Sequence, residues 1–116
     1  METPADAVLM RIWIGENDRY GHRPLYEAIV LRARELHLAG ATVLRGPMGY
    51  GASSRLHTAK ILQLSMDLPM LVEIVDSAEK IEAFLPEADA MMDGGLITLE
   101  KVKVVRCRGR KADKTP

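Results

Sequence analysis

The order in which two hydrophobic periodicities recur constrains this chain more than any other feature. Val8, Met10, Ile12 and Ile14 alternate with Leu9, Arg11 and Trp13, the period-two pattern of a strand that Gly15 ends. After a polar loop over Glu16–Arg23, Pro24 has the fixed φ suited to a first helical turn. Leu25, Ala28, Ile29, Ala33 and Leu36 then fall at helical spacing, with Gly40 as the expected stop. Ala41–Arg45 reads as a second strand and Pro69–Asp76 as a third, with Met70, Val72 and Ile74 on one face and Glu73 on the other. Asp76 or Ser77 caps a second helix, Asp76 and Glu79 fitting a capping box. Ile81, Phe84, Leu85, Ala88 and Met92 form that helix's stripe, Pro86 predicts a kink or break within it, and Gly94–Gly95 closes it. Ile97–Arg106 is the last strand. Its apolar parity switches between Ile97/Leu99 and Val102/Val104, which predicts a bulge near Glu100–Lys101. Strand, helix, strand, strand, helix, strand is two split β-α-β halves. The expected class is therefore α+β, a ferredoxin-like sandwich with a four-stranded antiparallel sheet and both helices on one face.

Length and composition narrow the function. At 116 residues there is room for one domain, expected over residues 8–106, with a flexible arm at 1–7 and a basic, frayed tail at 107–116. A hydrophobic fraction of 47% with 28% charged residues is that of a globular chain. A formal net charge of +0 speaks against bulk binding of nucleic acid, which needs a strong positive field. The sequence has no apolar run of membrane-spanning length and no charged-then-apolar leader, and its one cysteine, Cys107, fits a reducing compartment, so a cytoplasmic location is expected.

The link between the second and third strands is the unusual part. A plain ferredoxin-like domain would use a short hairpin there, and a link of roughly twenty residues is usually functional or disordered. Here it holds Gly46, Gly49 and Gly51 around Pro47, Met48 and Tyr50, followed by Ser53 and Ser54. Glycines let consecutive N–H groups turn toward an anion, and serine hydroxyls add donors. It is not a P-loop, because Ala52 stands where the lysine is needed, and the glycine spacing is not that of a dinucleotide fingerprint. A bending loop with no ligand would use the same residues. Arg45, Arg55, His57 and Lys60 flank the segment. Arginine can grip a phosphate with two parallel donors, lysine supplies a point charge and histidine a donor or a pH sensor. Solvated surface charge, and a hydrogen-bonded interface histidine, are the plain alternatives. Glu16 and Asp18 could hold a ribose or a cation, or cap the turn, the role expected of Asp18. His22 and His37 read as surface residues and Cys107 as a bystander. No catalytic residue and no metal site within one chain is identified. Lys101, Lys103, Arg106 and Arg108 could bring positive charge to an interface or guard an exposed edge strand.

Several short motifs, taken together, resemble the bacterial and archaeal domain-of-unknown-function family 190. They are Ile14-Gly15-Glu16-Asn17-Asp18-Arg19-Tyr20, Pro24-Leu25-Tyr26-Glu27-Ala28, Ala39-Gly40-Ala41-Thr42-Val43, Arg45-Gly46, Gly49-Tyr50-Gly51, His57-Thr58-Ala59-Lys60-Ile61-Leu62, Leu68-Pro69, Glu73-Ile74-Val75-Asp76 and Lys80-Ile81. That family is similar in fold to the PII signalling proteins and to the cation-tolerance protein CutA. The resemblance implies a homotrimer that binds an adenine nucleotide (AMP, ADP or ATP) or a related phosphate-bearing metabolite between subunits. It implies no obligatory cofactor and no enzymatic activity, with the loop between strands two and three carrying the signal. PII proteins place nucleotide-binding backbone in the connection that here holds Gly94 and Gly95, with Thr98 nearby; a helix-closing glycine pair explains the same residues without a ligand. The expected ligand-binding set is thus Arg45, Gly46, Gly49, Gly51, Ser53, Ser54, Arg55, His57, Gly94, Gly95 and Thr98. Three rivals remain. One is a CutA-like trimer binding divalent metal through His57, Glu16 and Asp18. Another is an enzyme using His57 as general acid or base. The last is an accessory protein of an ion channel or transporter.

Overall fold

The computed structural model describes residues 1–51, 57–58 and 67–110. The alternation in the two most apolar strands becomes the centre of the sheet. β1 (Ala5–Gly15) pairs antiparallel with both β3 (Pro69–Asp76) and β4 (Leu96–Val104), and β2 (Gly40–Arg45) pairs with β3, giving the order β2-β3-β1-β4. Ile14 stands opposite Met70, Ile12 opposite Val72 and Met10 opposite Ile74. All six are buried, and Leu25, Ala28, Ile29 and Ala33 of α1 (Leu25–Glu35) close over them with Ile81, Phe84 and Ala88 of α2 (Ala78–Met91). Each fully buried Ile, Leu, Met or Phe contributes about 1.5–3 kcal/mol, so this layer outweighs the exposed ion pairs, worth about 0–1 kcal/mol each. The expected ferredoxin-like sandwich is what forms.

Several local expectations are corrected. β1 starts at Ala5, because Ala5 and Asp6 find partners in Val104 and Lys103. The β1–β4 ladder has no bulge: its register runs unbroken from Ala5↔Val104 to Trp13↔Leu96. The parity switch is a change of covered face instead. Ile97 and Leu99, opposite Ile12 and Met10, lie on the helix side. From the row of Val8 and Asp76 onward that side carries Lys101, opposite Val8, and then Lys103, while Val102 and Val104 turn to the other. Pro86 does not end α2, which continues to Met91. It sits on the exposed side, where the carbonyl it leaves without an N–H partner can be hydrated.

The expected caps are borne out in part. Ser77 is the N-cap of α2, its Oγ accepting from the Lys80 N–H at 3.3 Å, and no Asp76–Glu79 box forms. Asp76 is buried and its carboxylate accepts from the N–H groups of Ala39 (2.8 Å) and Ser77 (2.6 Å), tying the entry of β2 to the end of β3. Gly40 does not stop α1. The Leu38 N–H donates to the Ala33 carbonyl and the His37 N–H to that of Arg34, a Schellman closure whose left-handed residue is His37 at φ 58°. A side chain in that region is strained where glycine is not. His37→Gly should therefore raise unfolding stability by roughly 0.5–1 kcal/mol, read as an increased denaturation midpoint, after the extra freedom of glycine in the unfolded chain is offset.

Candidate functional site

The polar end of the sheet is built where β1 and β2 finish and β3 begins. The Gly46 N–H donates to the Pro69 carbonyl (2.8 Å) and the Glu16 N–H to that of Leu68 (2.8 Å). A Cβ on Gly46 or Gly49 would meet the Pro69 ring at 3.0 or 3.1 Å, so both glycines let the link lie flat on Pro69. Within the link, Met48–Gly49 pairs antiparallel with His57–Thr58, placing Gly49 opposite His57 on the backbone. Gly51 is open to solvent. Ser53, Ser54 and Arg55 lie outside the described residues, as does Lys60.

Arg45 is not a free cation. Its Nη2 stands 2.6 Å from Glu16 Oε2, so a phosphate must compete with this carboxylate for the guanidinium. Asp18 takes the turn-capping role, accepting from the Gly15 N–H at 2.9 Å. Asp67 is a residue that sequence reasoning missed. Its carboxylate accepts from the Asn17 N–H at 2.7 Å, and a Cβ on Gly15 would lie 2.6 Å from both its oxygens. Its only signal was a polar residue before Leu68-Pro69. Among the described residues no three His, Cys, Asp or Glu side chains gather closely enough to hold a metal ion.

The second glycine segment sits at the same end of the sheet on the opposite edge. Gly95 has φ 120°, and a Cβ there would fall 2.7 Å from both Met92 Cε and the Trp13 carbonyl oxygen. Gly94 has open space around it. Together they border a cavity of about 490 Å³ with Leu85, Asp89, Met92 and Ile97. Thr98 does not line it, because it alternates with Ile97 and stands in the other face's row with Arg11. The β2 end and the β4 start are separated by β3 and β1, about 14 Å at three inter-strand spacings. One chain therefore does not bring Gly46–Gly51 and Gly94–Gly95 into one pocket.

The helix-free face holds a feature the sequence reading did not single out. Leu44, Leu71, Trp13 and Leu96 stand in register across all four strands, with Trp13, Leu44 and Leu96 exposed at 41%, 49% and 56%. In the next row Arg11 donates to Glu73 (3.0 Å) and Glu100 (2.6 Å). Those two bonds, Glu100's first, hold the guanidinium above its usual range.

Residues 7–104 match family DUF190, described as an uncharacterized ACR. The chain belongs to this family. A UPF0166 protein of Aquifex aeolicus is 42% identical over 97 residues, covering 84% of this chain and 91% of the relative. Among solved structures, CPII of Thiomonas intermedia, a nitrogen regulatory PII-like protein bound to ADP, AMP and bicarbonate, superposes with a TM-score of 0.57 at 17% identity, covering 88% of this chain and 91% of its own. CutA1 of Oryza sativa gives a TM-score of 0.51 at 13% identity, covering 96% and 88%. The DUF190 member thus shares the PII-like, ferredoxin-like fold. No described helix is long and apolar enough to cross a membrane.

The glycine pair separates packing from ligand contact. Gly95→Ala should cost at least about 2 kcal/mol in a denaturant melt, from the forced φ and the backbone clash. Gly94→Ala should leave the melt nearly unchanged, so that any ligand response it loses reports on binding.

Proposed function

We propose that this DUF190 protein is a PII-like regulator, not an enzyme. In this reading it is a homotrimer that binds an adenine nucleotide, or a related phosphate-bearing metabolite, at the seams between copies. The observation that carries the reading is the splitting of the two glycine segments between opposite sheet edges at the same end. A ligand needing both is held only if the β2 edge of one copy approaches the β4 edge of the next. The exposed row of Trp13, Leu44 and Leu96 favours such an assembly, since joining copies removes it from water. The nucleotides bound to CPII supply the ligand class.

Arg45, with the backbone of Gly46–Gly51, faces the phosphates, while Gly94 and Gly95 approach from the neighbouring copy. Ser53, Ser54, Arg55 and His57 add donors from the link. Nucleotide binding draws Arg45 from Glu16 and biases the link toward one arrangement, which a partner then reads. That bias cannot exceed the ligand's difference in affinity for the two arrangements. A partner preferring the ligand-bound arrangement must tighten ligand binding by the same factor.

Titration calorimetry with AMP, ADP and ATP, and separately with divalent metal, tests the reading. Binding of metal alone would favour the CutA-like alternative, and turnover of nucleotide would overturn the non-enzymatic assignment. Arg45→Ala should abolish the nucleotide heat and leave the fold intact, because its partly exposed pair with Glu16 contributes on the order of 1 kcal/mol. Glu16→Gln should act in the opposite sense and tighten nucleotide binding about fivefold, the equivalent of ~1 kcal/mol of lost competition. An unchanged response in both variants would remove Arg45 from the site.

Trp13, the chain's single tryptophan, reports on assembly. Its emission should shift to shorter wavelength as concentration rises through association. Trp13→Glu should yield monomers in sedimentation velocity, since an unpaired charge in a dry interface costs several kcal/mol.

A further inference from the structure

The neutral net charge hides a strong asymmetry. Residues 101–116 hold seven basic side chains, Lys101, Lys103, Arg106, Arg108, Arg110, Lys111 and Lys114, against the single acid Asp113, a net of +6. The first hundred residues hold nine basic and fifteen acidic side chains, a net of −6. The match to the family ends at residue 104, so most of this charge lies beyond the shared fold. Residues 105–110 leave β4 without regular structure, and Arg106, Arg108 and Arg110 are exposed, as is Val105 at 74%. Among the described residues, none of Lys101, Lys103, Arg106, Arg108 and Arg110 forms an ion pair, whereas Arg11, Arg23, Arg32, Arg45 and Lys80 all do. The basic segment departs from the Val104–Ala5 end of the sheet, opposite to the end that holds Arg45, Gly46 and Gly95.

We propose that a basic arm, Lys101 and Lys103 at the end of β4 with Arg106, Arg108 and Arg110 in the irregular segment after it, attaches this protein to an anionic lipid surface. Clusters of four to eight Lys and Arg beside a membrane are drawn to anionic headgroups, and this arm falls in that range. Residues 105–110 alone can reach about 20 Å, more than two Debye lengths at physiological salt, so the acidic body does not have to share the surface's field. A long polyanion suits the arm less well. Residues 101–116 contain no aromatic side chain on which a base could stack, and a duplex laid along the arm would meet the net-negative body. Fluid headgroups, by contrast, adapt to charges spaced along an irregular segment. Attachment at one pole leaves the opposite pole open to ligand, and does not depend on what that ligand is.

Flotation of the full chain with phosphatidylcholine vesicles, with and without phosphatidylglycerol, tests the proposal. Binding is expected only to the anionic vesicles, and should fall away between about 0.1 M and about 1 M salt as the Debye length shrinks from ~10 to ~3 Å. Replacing three cations together (Arg106→Gln, Arg108→Gln, Arg110→Gln) should weaken it on the order of 100-fold, at about fivefold per cation. These positions lie outside every strand and helix, so the thermal melt should be unchanged. Failure to float at low salt, equal flotation of the triple variant, or equal binding to neutral vesicles would overturn the proposal. Tighter retention by a DNA or RNA oligonucleotide than by the anionic vesicles would also overturn it, in favour of nucleic acid.

Discussion

The antiparallel register of β1 against β3 governs where everything else in this molecule lies. Ile12 facing Val72 puts Met10, Ile14, Met70 and Ile74 on the same side, and that side recruits both helices. A slip of one residue would turn the three core residues of one strand to the opposite side, so the register is held by the core itself. The same register brings Gly15 level with Pro69, and the next connections follow: Glu16 onto Leu68, Gly46 onto Pro69, Asp67 under Gly15. The polar end of the sheet is thus a consequence of how the apolar middle zips.

Covering one side of the sheet leaves the other side uncovered. On it the apolar row through Trp13 lies beside the row where Arg11 bridges Glu73 and Glu100. That charged row stays satisfied within one chain, so an assembly on this face would bury pairs already made and not isolated charges. The uncovered face and the split glycine segments favour the same conclusion independently, one through hydrophobic area and the other through distance. The net-negative first hundred residues and the basic stretch that leaves the sheet after Val104 add a second asymmetry that a zero net charge conceals.

Much of the architecture was legible because strands and helices announce themselves over short windows. The alternation in Val8–Ile14 and Pro69–Asp76, and the stripe Leu25–Leu36, needed no knowledge of partners. The misreadings occurred where a distant neighbour decided the outcome. A break of α2 at Pro86 does not occur, because its exposed position lets the helix continue. The parity switch in β4 looked like a bulge, although the ladder with β1 is continuous and the apolar residues change face within it. Gly40 looked like a cap, but the left-handed turn falls at His37, with Asp76 holding the Ala39 N–H thirty-seven positions away in sequence. At the candidate site the glycines of the link and Arg45 were picked out by residue type, whereas Glu16 as the partner of Arg45, and Asp67 altogether, were not.

By itself the sequence determined the kind and order of the four sheet strands and two helices, and which side of each central strand is apolar. Those follow from periods of two and 3.6 residues along the local chain. Only the tertiary structure decided that the two glycine segments end on opposite edges of the sheet, that Arg45 meets Glu16, and that Trp13 joins Leu44, Leu71 and Leu96 in one exposed row. The physical reason is separation along the chain. Each of those relations joins residues from different strands or connections, and strand pairing, not local pattern, sets which of them become neighbours.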